Sequence, residues 1–187
     1  MRLLTLVVLS LTLAPAASAA EVTVKTKTPA AAVAALVHFT APKGWATSDY
    51  ANSGGADPVV RLANLSDAIT LKVYGAPGSA YATPEIFLTG PAATSQGAAP
   101  IKDGTVSVAG RKLTLYRRRF PINVPNPHGP PAPLMLGSEM FAILPASGKS
   151  FVVLSRVRES PIPDIESRGE KAWAAFLKSV KPAKAKR

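Results

Sequence analysis

The stretch EMFAILPASGKSFVVLSRVR, residues 139–158, decides the fold. Two apolar runs flank Ser147-Gly148, a pair typical of a tight turn, so the stretch predicts an antiparallel hairpin. All four residues of Phe151–Leu154 are apolar, and successive side chains of a strand point to opposite faces. A strand that is apolar on both faces is covered on both sides, so we expect it at the centre of a sheet.

Two further hairpins precede this one. Strand-forming residues at 105–108 and 111–120 flank an Ala-Gly turn, and together with the first hairpin they predict a meander of four strands. Earlier in the chain, 58–65 and 68–74 show the same β-branched and apolar pattern on either side of a polar turn. Short turns between neighbouring strands indicate an antiparallel sheet.

Helix signals occur outside these hairpins. Thr83 is a suitable N-cap with Pro84 at the first helical position, and Gly90 is a plausible end of that helix. Asp164 is a suitable N-cap for a terminal amphipathic helix, which needs a sheet face to cover. We therefore predict an α+β fold, one domain with an antiparallel sheet of about six strands flanked by helices. The apolar positions of the terminal helix are Ile165, Trp173, Phe176, Leu177 and Val180.

The two ends of the chain differ from the predicted domain. A basic start, an apolar run at Leu3–Leu13 and small residues after it predict a secretory signal peptide over residues 1–19. The apolar run is too short to span a bilayer. The domain is expected at 20–181, followed by a basic disordered tail at 182–187, and the protein is expected to be periplasmic or extracellular. Residues 29–36 allow either a short helix or an extended run.

Two short motifs resemble those of a known family. Phe39–Trp45 is a strand that enters a Pro-x-Gly-Trp turn, and it resembles the opening of PsbP-like domains. Phe151–Leu154, followed by a helix carrying Ala172-Trp173 and Phe176-Leu177, resembles the end of such domains. The resemblance implies an α-β-α sandwich that serves as an accessory or partner-binding module. It implies no site residue, because no metal- or partner-binding motif is matched.

The composition excludes several kinds of chemistry. The chain has 187 residues, no cysteine, two histidines and a formal net charge of +11. The absence of cysteine excludes disulfides, a thiolate nucleophile and Cys-ligated metals. No nucleophile elbow or phosphate-binding loop is present, and we predict a non-enzymatic protein with no cofactor and no metal site. Two alternatives remain open: a small hydrolase or lyase that uses His128 with Glu139 or a serine near the proline-rich loop, and a structural envelope protein without a discrete site.

Arginine gathers where two predicted strands end. Strands 111–120 and 150–158 run parallel with one strand between them, so their carboxyl ends reach the same edge of the sheet. A proline-rich loop, predicted at 121–133 and containing His128, leaves from the same edge. The predicted binding residues are this histidine and five arginines that we call the arginine rim: Arg117, Arg118, Arg119, Arg156 and Arg158.

The arginine rim predicts an anionic partner. A cluster of guanidinium groups without paired acids suits carboxylate, phosphate or sulfate recognition. We expect an envelope protein, an anionic polymer or lipid head groups as the partner, and a monomeric protein. Nucleic acid is disfavoured, because export separates the protein from it and aromatic residues are only 6% of the chain. The other interpretation is that these arginines are solvated strand ends that blunt a sheet edge.

Overall fold

The computed structural model describes residues 28–65, 67–90, 99–122, 135–158 and 163–183. The predicted signal peptide, His128 and most of the predicted proline-rich loop lie outside the described residues.

The described residues form nine strands, of which β2 to β8 build one sheet. The spatial order is β2-β3-β4-β8-β7-β6-β5, and every neighbouring pair is antiparallel. The predicted α+β class with one domain is confirmed, with seven strands in the main sheet where about six were expected. The strands are β1 (Val37–His38), β2 (Ala46–Asn52), β3 (Asp57–Asn64), β4 (Asp67–Tyr74), β5 (Ile101–Val108), β6 (Arg111–Ile122), β7 (Met135–Pro145), β8 (Phe151–Arg158) and β9 (Lys181–Pro182).

The connections between the strands explain their order. All three predicted hairpins are present, as β3–β4, β5–β6 and β7–β8. The β5–β6 turn places Ala109 and Gly110 at φ of 52° and 75°, the left-handed conformation that two-residue hairpin turns require. The chain crosses from β4 to the far edge at β5, and the meander then returns so that β8 pairs with β4.

Three α-helices in the described residues flank the sheet: α1 (Pro29–Ala34), α2 (Pro84–Thr89) and α3 (Pro163–Ser179). Thr83 caps α2 as predicted by accepting a hydrogen bond from the Ile86 N–H, and α1 resolves the ambiguity over residues 29–36. The prediction that Asp164 is an N-cap is wrong, because α3 begins at Pro163, whose fixed φ suits a first helical position. No helix in the described part of the chain is both long and apolar enough to cross a bilayer.

The central strand β8 is buried on both faces, as its sequence predicts. Val152 and Leu154 belong to the core that packs under α1 and α3, which we call the α3 face. Phe151 and Val153 belong to a second core on the opposite side, together with Phe87 of α2, which we call the α2 face. Helices therefore lie on both sides of the sheet, and the layer order is α-β-α.

Two predicted boundaries are corrected by strand pairing. Pro182 pairs with Val37 in the small β1–β9 sheet, so residue 182 belongs to the fold and not to the tail that was predicted at 182–187. Pro121 pairs with Leu136, so strand β6 continues into the loop that was predicted at 121–133. The pairing of β5 with β6 reaches only as far as Arg117, and after that residue β6 pairs only with β7 among the described residues. This part of β6 is an edge strand, which does not need every backbone N–H, so proline is tolerated there.

Candidate functional site

The register of the sheet confirms that β6 and β8 bring the arginine rim to one edge. Arg119 and Arg158 pair with the same residue of β7, and Arg117 and Arg156 share another partner two residues further along β7. Two strand steps separate these arginines, a distance of about 10 Å. All four lie on the α3 face, whereas Arg118 lies on the α2 face.

Arg118 is buried in an ion pair. Its Nε donates to Glu139 Oε2 at 2.5 Å, and only 4% and 5% of the two side chains are exposed. Its guanidinium carbon also lies 5.6 Å from the ring centre of Phe141 and 5.9 Å from that of Phe87, within the range of a cation–π interaction. This arginine is part of the α2-face core and is not available to an external partner.

Arg156 is buried on the other face. Its Nε donates to Asp67 Oδ1 at 3.0 Å, and its Nη1 lies 4.0 Å from Glu170 of α3. Gly169 packs directly over this pair, because a Cβ there would lie 2.7 Å from Arg156 Nη2 and closer still to the Asp67 carboxylate. The absence of a side chain at Gly169 therefore allows α3 to approach the ion pair.

The remaining rim arginines are more accessible. Arg117 forms a 2.7 Å ion pair with Asp103 and keeps 41% of its side chain exposed. The pairing of β5 with β6 shifts its register between Lys102 and Thr105. Asp103 lies within this irregular segment, beside Gly104, which has a φ of 110°. Arg119 is exposed and Arg158 is half-buried.

The expectation that no acids pair with these arginines is wrong. Asp67, Asp103 and Glu139 each pair with one rim arginine. They are single carboxylates scattered along the sequence, and their partners become visible only when the register of the sheet is known. Much of the positive charge predicted for this edge is therefore neutralised within the fold.

The residues of the hydrolase or lyase alternative are not brought together in the described part of the chain. Glu139 is held by Arg118, and His128 lies outside the described residues. The other histidine, His38, is exposed on β1 opposite Lys181. Within the described ranges, no group of three His, Asp or Glu side chains has the arrangement of a metal site.

A cluster of hydrogen bonds around Asp57 fixes the segment of chain that follows β4. The buried Asp57 carboxylate accepts from the Ser79 hydroxyl at 2.5 Å and from the Ala80 N–H at 3.0 Å. Burial raises the pKa of the adjacent Tyr74, and Tyr81 and Asp57 raise it further. Ser79 also accepts a hydrogen bond from the Gly75 N–H at 3.3 Å, so its contacts close the segment after β4. These bonds give the cluster a structural role.

A second basic region lies at the opposite end of the sheet, and the sequence analysis missed it. It comprises the start of β6, the β7–β8 turn and the carboxyl end of α3 with β9, and Arg111 Nη1 donates to the Pro145 carbonyl oxygen across it at 3.4 Å. All five side chains are exposed, and none forms an ion pair with an acidic side chain in the described ranges. We call this region the basic hairpin end: Arg111, Lys112, Lys149, Lys178 and Lys181.

A groove opens beside the basic hairpin end. It lies between the β5–β6 turn and the carboxyl end of α3 and has a volume of about 550 Å³. Its lining residues are Ser107, Ala109, Gly110, Leu177, Lys178, Val180, Lys181 and Pro182. The only sequence signal for this site is the lysine content of the helix end, which also has a helix-dipole explanation.

Comparisons with known proteins show no family for this chain. No family model matches it, and no curated protein matches it. Among solved structures, it is similar to LpqN of Mycobacterium tuberculosis, a protein described as involved in cell envelope biogenesis. The identity is 10%, the TM-score is 0.38, and the match covers 79% of this chain and 83% of that chain. A similarity at this level carries no functional argument, and the resemblance to PsbP-like domains stays a prediction.

Proposed function

We propose that the protein is an exported, non-enzymatic module that binds an anionic partner of the cell envelope through its basic hairpin end. The amino-terminal pattern of residues 1–19 supports export. One observation carries the binding proposal: five exposed cations meet at one end of the sheet without an acidic ion-pair partner in the described ranges.

The basic hairpin end is a better contact surface than the arginine rim, which the sequence predicts as the binding surface. Arg118 and Arg156 are buried with acids, and Arg117 shares its charge with Asp103. A buried ion pair presents little net charge to an external partner, whereas exposed cations of one sign add their potentials. On this proposal, Arg119 and Arg158 of the arginine rim are secondary contacts for the partner.

The residue types at the basic hairpin end favour a diffuse anionic surface. Four of its five members are lysines, whose compact and hydrated ammonium groups act as point charges without the fixed fork of arginine. Such groups suit many phosphates or carboxylates spread over a surface, either on a polymer or on lipid head groups. The attraction should fall steeply with salt, because exposed charges are screened within about 10 Å at 0.1 M salt.

The test is a variant that removes three of these charges and leaves the groove intact. In Arg111→Gln/Lys112→Gln/Lys149→Gln, every changed side chain is exposed, so the fold should be retained. Binding is measured by retention on heparin, which represents a polymer, and by cosedimentation with vesicles containing phosphatidylglycerol. At about 1 kcal/mol per basic residue near an anionic surface, we expect binding at low salt to weaken on the order of 100-fold.

The matched control removes the same charge from elsewhere. Lys43→Gln/Lys102→Gln/Lys171→Gln changes three exposed lysines outside the basic hairpin end. Equal weakening by both triple variants would mean that only net charge matters, and it would refute the proposed surface. Loss of heparin retention alone would identify a polymer, and loss of vesicle binding alone would identify lipid head groups; no binding by the unmodified protein to either probe would refute the function.

A further inference from the structure

We propose that two copies of this chain pair through β2, edge to edge and antiparallel, so that their two seven-stranded sheets form one continuous sheet. The sequence analysis expects a monomer, and the dimer is independent of the anionic partner proposed above. Three observations support it: the exposure of β2, the charge of this edge, and the small side chains of the helix beside it.

β2 is an edge strand that is exposed along its whole length. It stands first in the strand order of the main sheet, and in the described ranges only β3 pairs with it. All seven residues of Ala46–Asn52 are exposed, and Tyr50 keeps 42% of its surface accessible. The backbone N–H and C=O groups that do not face β3 therefore point outward. Such a row of groups is a template for one more strand.

The opposite edge of the sheet is protected, whereas β2 is not. β5 carries the exposed Lys102, and its register with β6 shifts before Thr105. A lysine and a bulge are two devices that keep an edge strand from pairing with another chain. β2 contains no lysine, arginine or proline, and its register with β3 runs through seven consecutive pairs without a shift. β2 is therefore the edge on which another strand can pair.

The distribution of charge favours β2 as a contact between copies. A formal net charge of +11 opposes self-association, so two copies need a surface with little positive charge to meet. The only charged residue of β2 is Asp49, whose Oδ2 accepts a hydrogen bond from the Ala30 N–H at 3.0 Å. Behind it, β3 contributes one basic residue, the half-buried Arg61. Arg111 and Lys112 of the basic hairpin end lie on β6, five strand steps from β2, or about 24 Å.

The helix beside β2 leaves room for a second copy. α1 packs on β2 and β3 from the α3 face. Its exposed residues are all alanine: Ala30, Ala31 and Ala34. When two β2 strands pair, the two α1 helices approach each other on the same side of the sheet. Their alanine side chains are short and uncharged, so neither bulk nor repulsion opposes that approach.

The position of Asp49 restricts the register of the pair. In an isologous contact, each copy presents the same strand about a two-fold axis. Asp49 is the middle residue of β2, and a pairing centred on it would set two carboxylates directly opposite each other, which is destabilising. A pairing centred on Ser48 sets Asp49 opposite Thr47, and one centred on Tyr50 sets it opposite Ala51. We therefore expect the axis at Ser48 or at Tyr50.

Sedimentation equilibrium over a range of protein and salt concentrations tests the dimer. We expect a reversible monomer–dimer equilibrium that salt strengthens, because salt screens the repulsion between two positively charged copies. Binding to heparin or to anionic vesicles should weaken with salt instead. A protein that stays monomeric at millimolar concentration and high salt would overturn the proposal.

Two matched variants test whether β2 is the contact. Ser48→Lys/Tyr50→Lys changes two exposed side chains, and in either register it sets one lysine opposite its own copy, so dimerisation should weaken by about 10-fold or more. Thr105→Lys/Ser107→Lys makes the same change of charge at exposed positions of β5 and should have a much smaller effect. Circular dichroism verifies that both variants are folded. Equal weakening by both would mean that only net charge matters, and it would refute the β2 contact.

Cross-linking identifies the edge directly. The chain has no cysteine, so a single introduced thiol is unique. Ser48→Cys or Tyr50→Cys, whichever lies at the two-fold axis, should give a covalent dimer with a short bismaleimide, whereas Ser107→Cys on β5 should stay monomeric. A failure of both β2 variants to cross-link, or a covalent dimer from Ser107→Cys alone, would refute the contact.

The dimer and the proposed function can fail separately. A protein that dimerises through β2 but binds neither heparin nor vesicles refutes the function and leaves the dimer. A protein that binds either probe but stays monomeric refutes the dimer and leaves the function. A monomer whose outward β2 amides resist hydrogen exchange would mean that another part of the chain covers this edge, and it would also refute the dimer.

Discussion

Arg118 and Arg119 are neighbours in sequence, yet their replacement by methionine should have very different consequences. Arg118→Met leaves the Glu139 carboxylate, whose side chain is only 5% exposed, without its guanidinium partner. Removing one member of a buried ion pair costs about 3–5 kcal/mol of unfolding free energy. Packing of the new side chain against Phe87 and Phe141 offsets part of that cost. We expect a net loss of about 3 kcal/mol.

The control is Arg119→Met, whose side chain is exposed on the opposite face. A surface substitution of this kind changes stability by about 0.5 kcal/mol or less. Urea denaturation followed by tryptophan fluorescence measures both variants. In thermal unfolding, a domain of this size loses about 2–4 °C per kcal/mol, so the melting temperature should fall by about 6–12 °C for Arg118→Met and by no more than about 2 °C for the control.

A double variant tests whether the ion pair is the cause. Arg118→Met/Glu139→Leu replaces both charges by apolar groups, and such a replacement of a buried pair is often neutral or stabilising. It should therefore recover most of the stability that Arg118→Met loses. If Arg118→Met were as stable as Arg119→Met, Arg118 would be solvated like its neighbour, and the burial of the α2 face described above would be wrong.

Two further substitutions test the packing of α3 and the burial of a tyrosine. Gly169→Ala should destabilise the protein by about 1–3 kcal/mol in urea unfolding, because the added methyl group meets the buried Asp67–Arg156 pair. The control Ala174→Gly changes an exposed residue of the same helix and should cost about 1 kcal/mol from helix propensity alone. A Gly169→Ala protein more stable than the unmodified protein would contradict the packing of α3 on this ion pair. The raised pKa of Tyr74 means that the folded protein keeps its phenol proton where the unfolded chain loses it, so Tyr74 should lower stability above pH 10 by up to about 1.4 kcal/mol per pH unit. Tyr74→Phe should flatten this dependence between pH 9 and 11, and an unchanged slope would exclude Tyr74 as its source.

The hairpins and the central strand were predictable because their signals are local. The turn at Ala109-Gly110 needs residues that accept a left-handed backbone, and the apolar run Phe151–Leu154 marks a strand covered on both faces. The extension of β6 through Pro121 was not predictable in this way. It depends on which neighbours pair with β6 at that point, and proline by itself indicates only that an N–H is missing.

The candidate site was predicted less well, because charge balance depends on contacts between distant residues. The alternation of side chains along a strand predicts that Arg118 and Arg119 lie on opposite faces of the sheet. It does not predict which of the two faces is covered by other parts of the protein at that position. The basic hairpin end was not predicted from the sequence for a similar reason. Its residues come from separate parts of the chain, and the end of α3 meets the β5–β6 turn only in the folded protein.

The sequence by itself determined the α+β class, the three hairpins and the central position of β8, since periodicity and turn residues act over a few positions. Only the tertiary structure decided which cations remain at the surface. Asp67 lies 89 residues from Arg156, and Glu139 lies 21 residues from Arg118. The strand register brings each acid to its arginine, and each pair is buried because its charges compensate each other there. The net charge of the chain is a property of its composition, whereas the place where that charge meets a partner is a property of the fold.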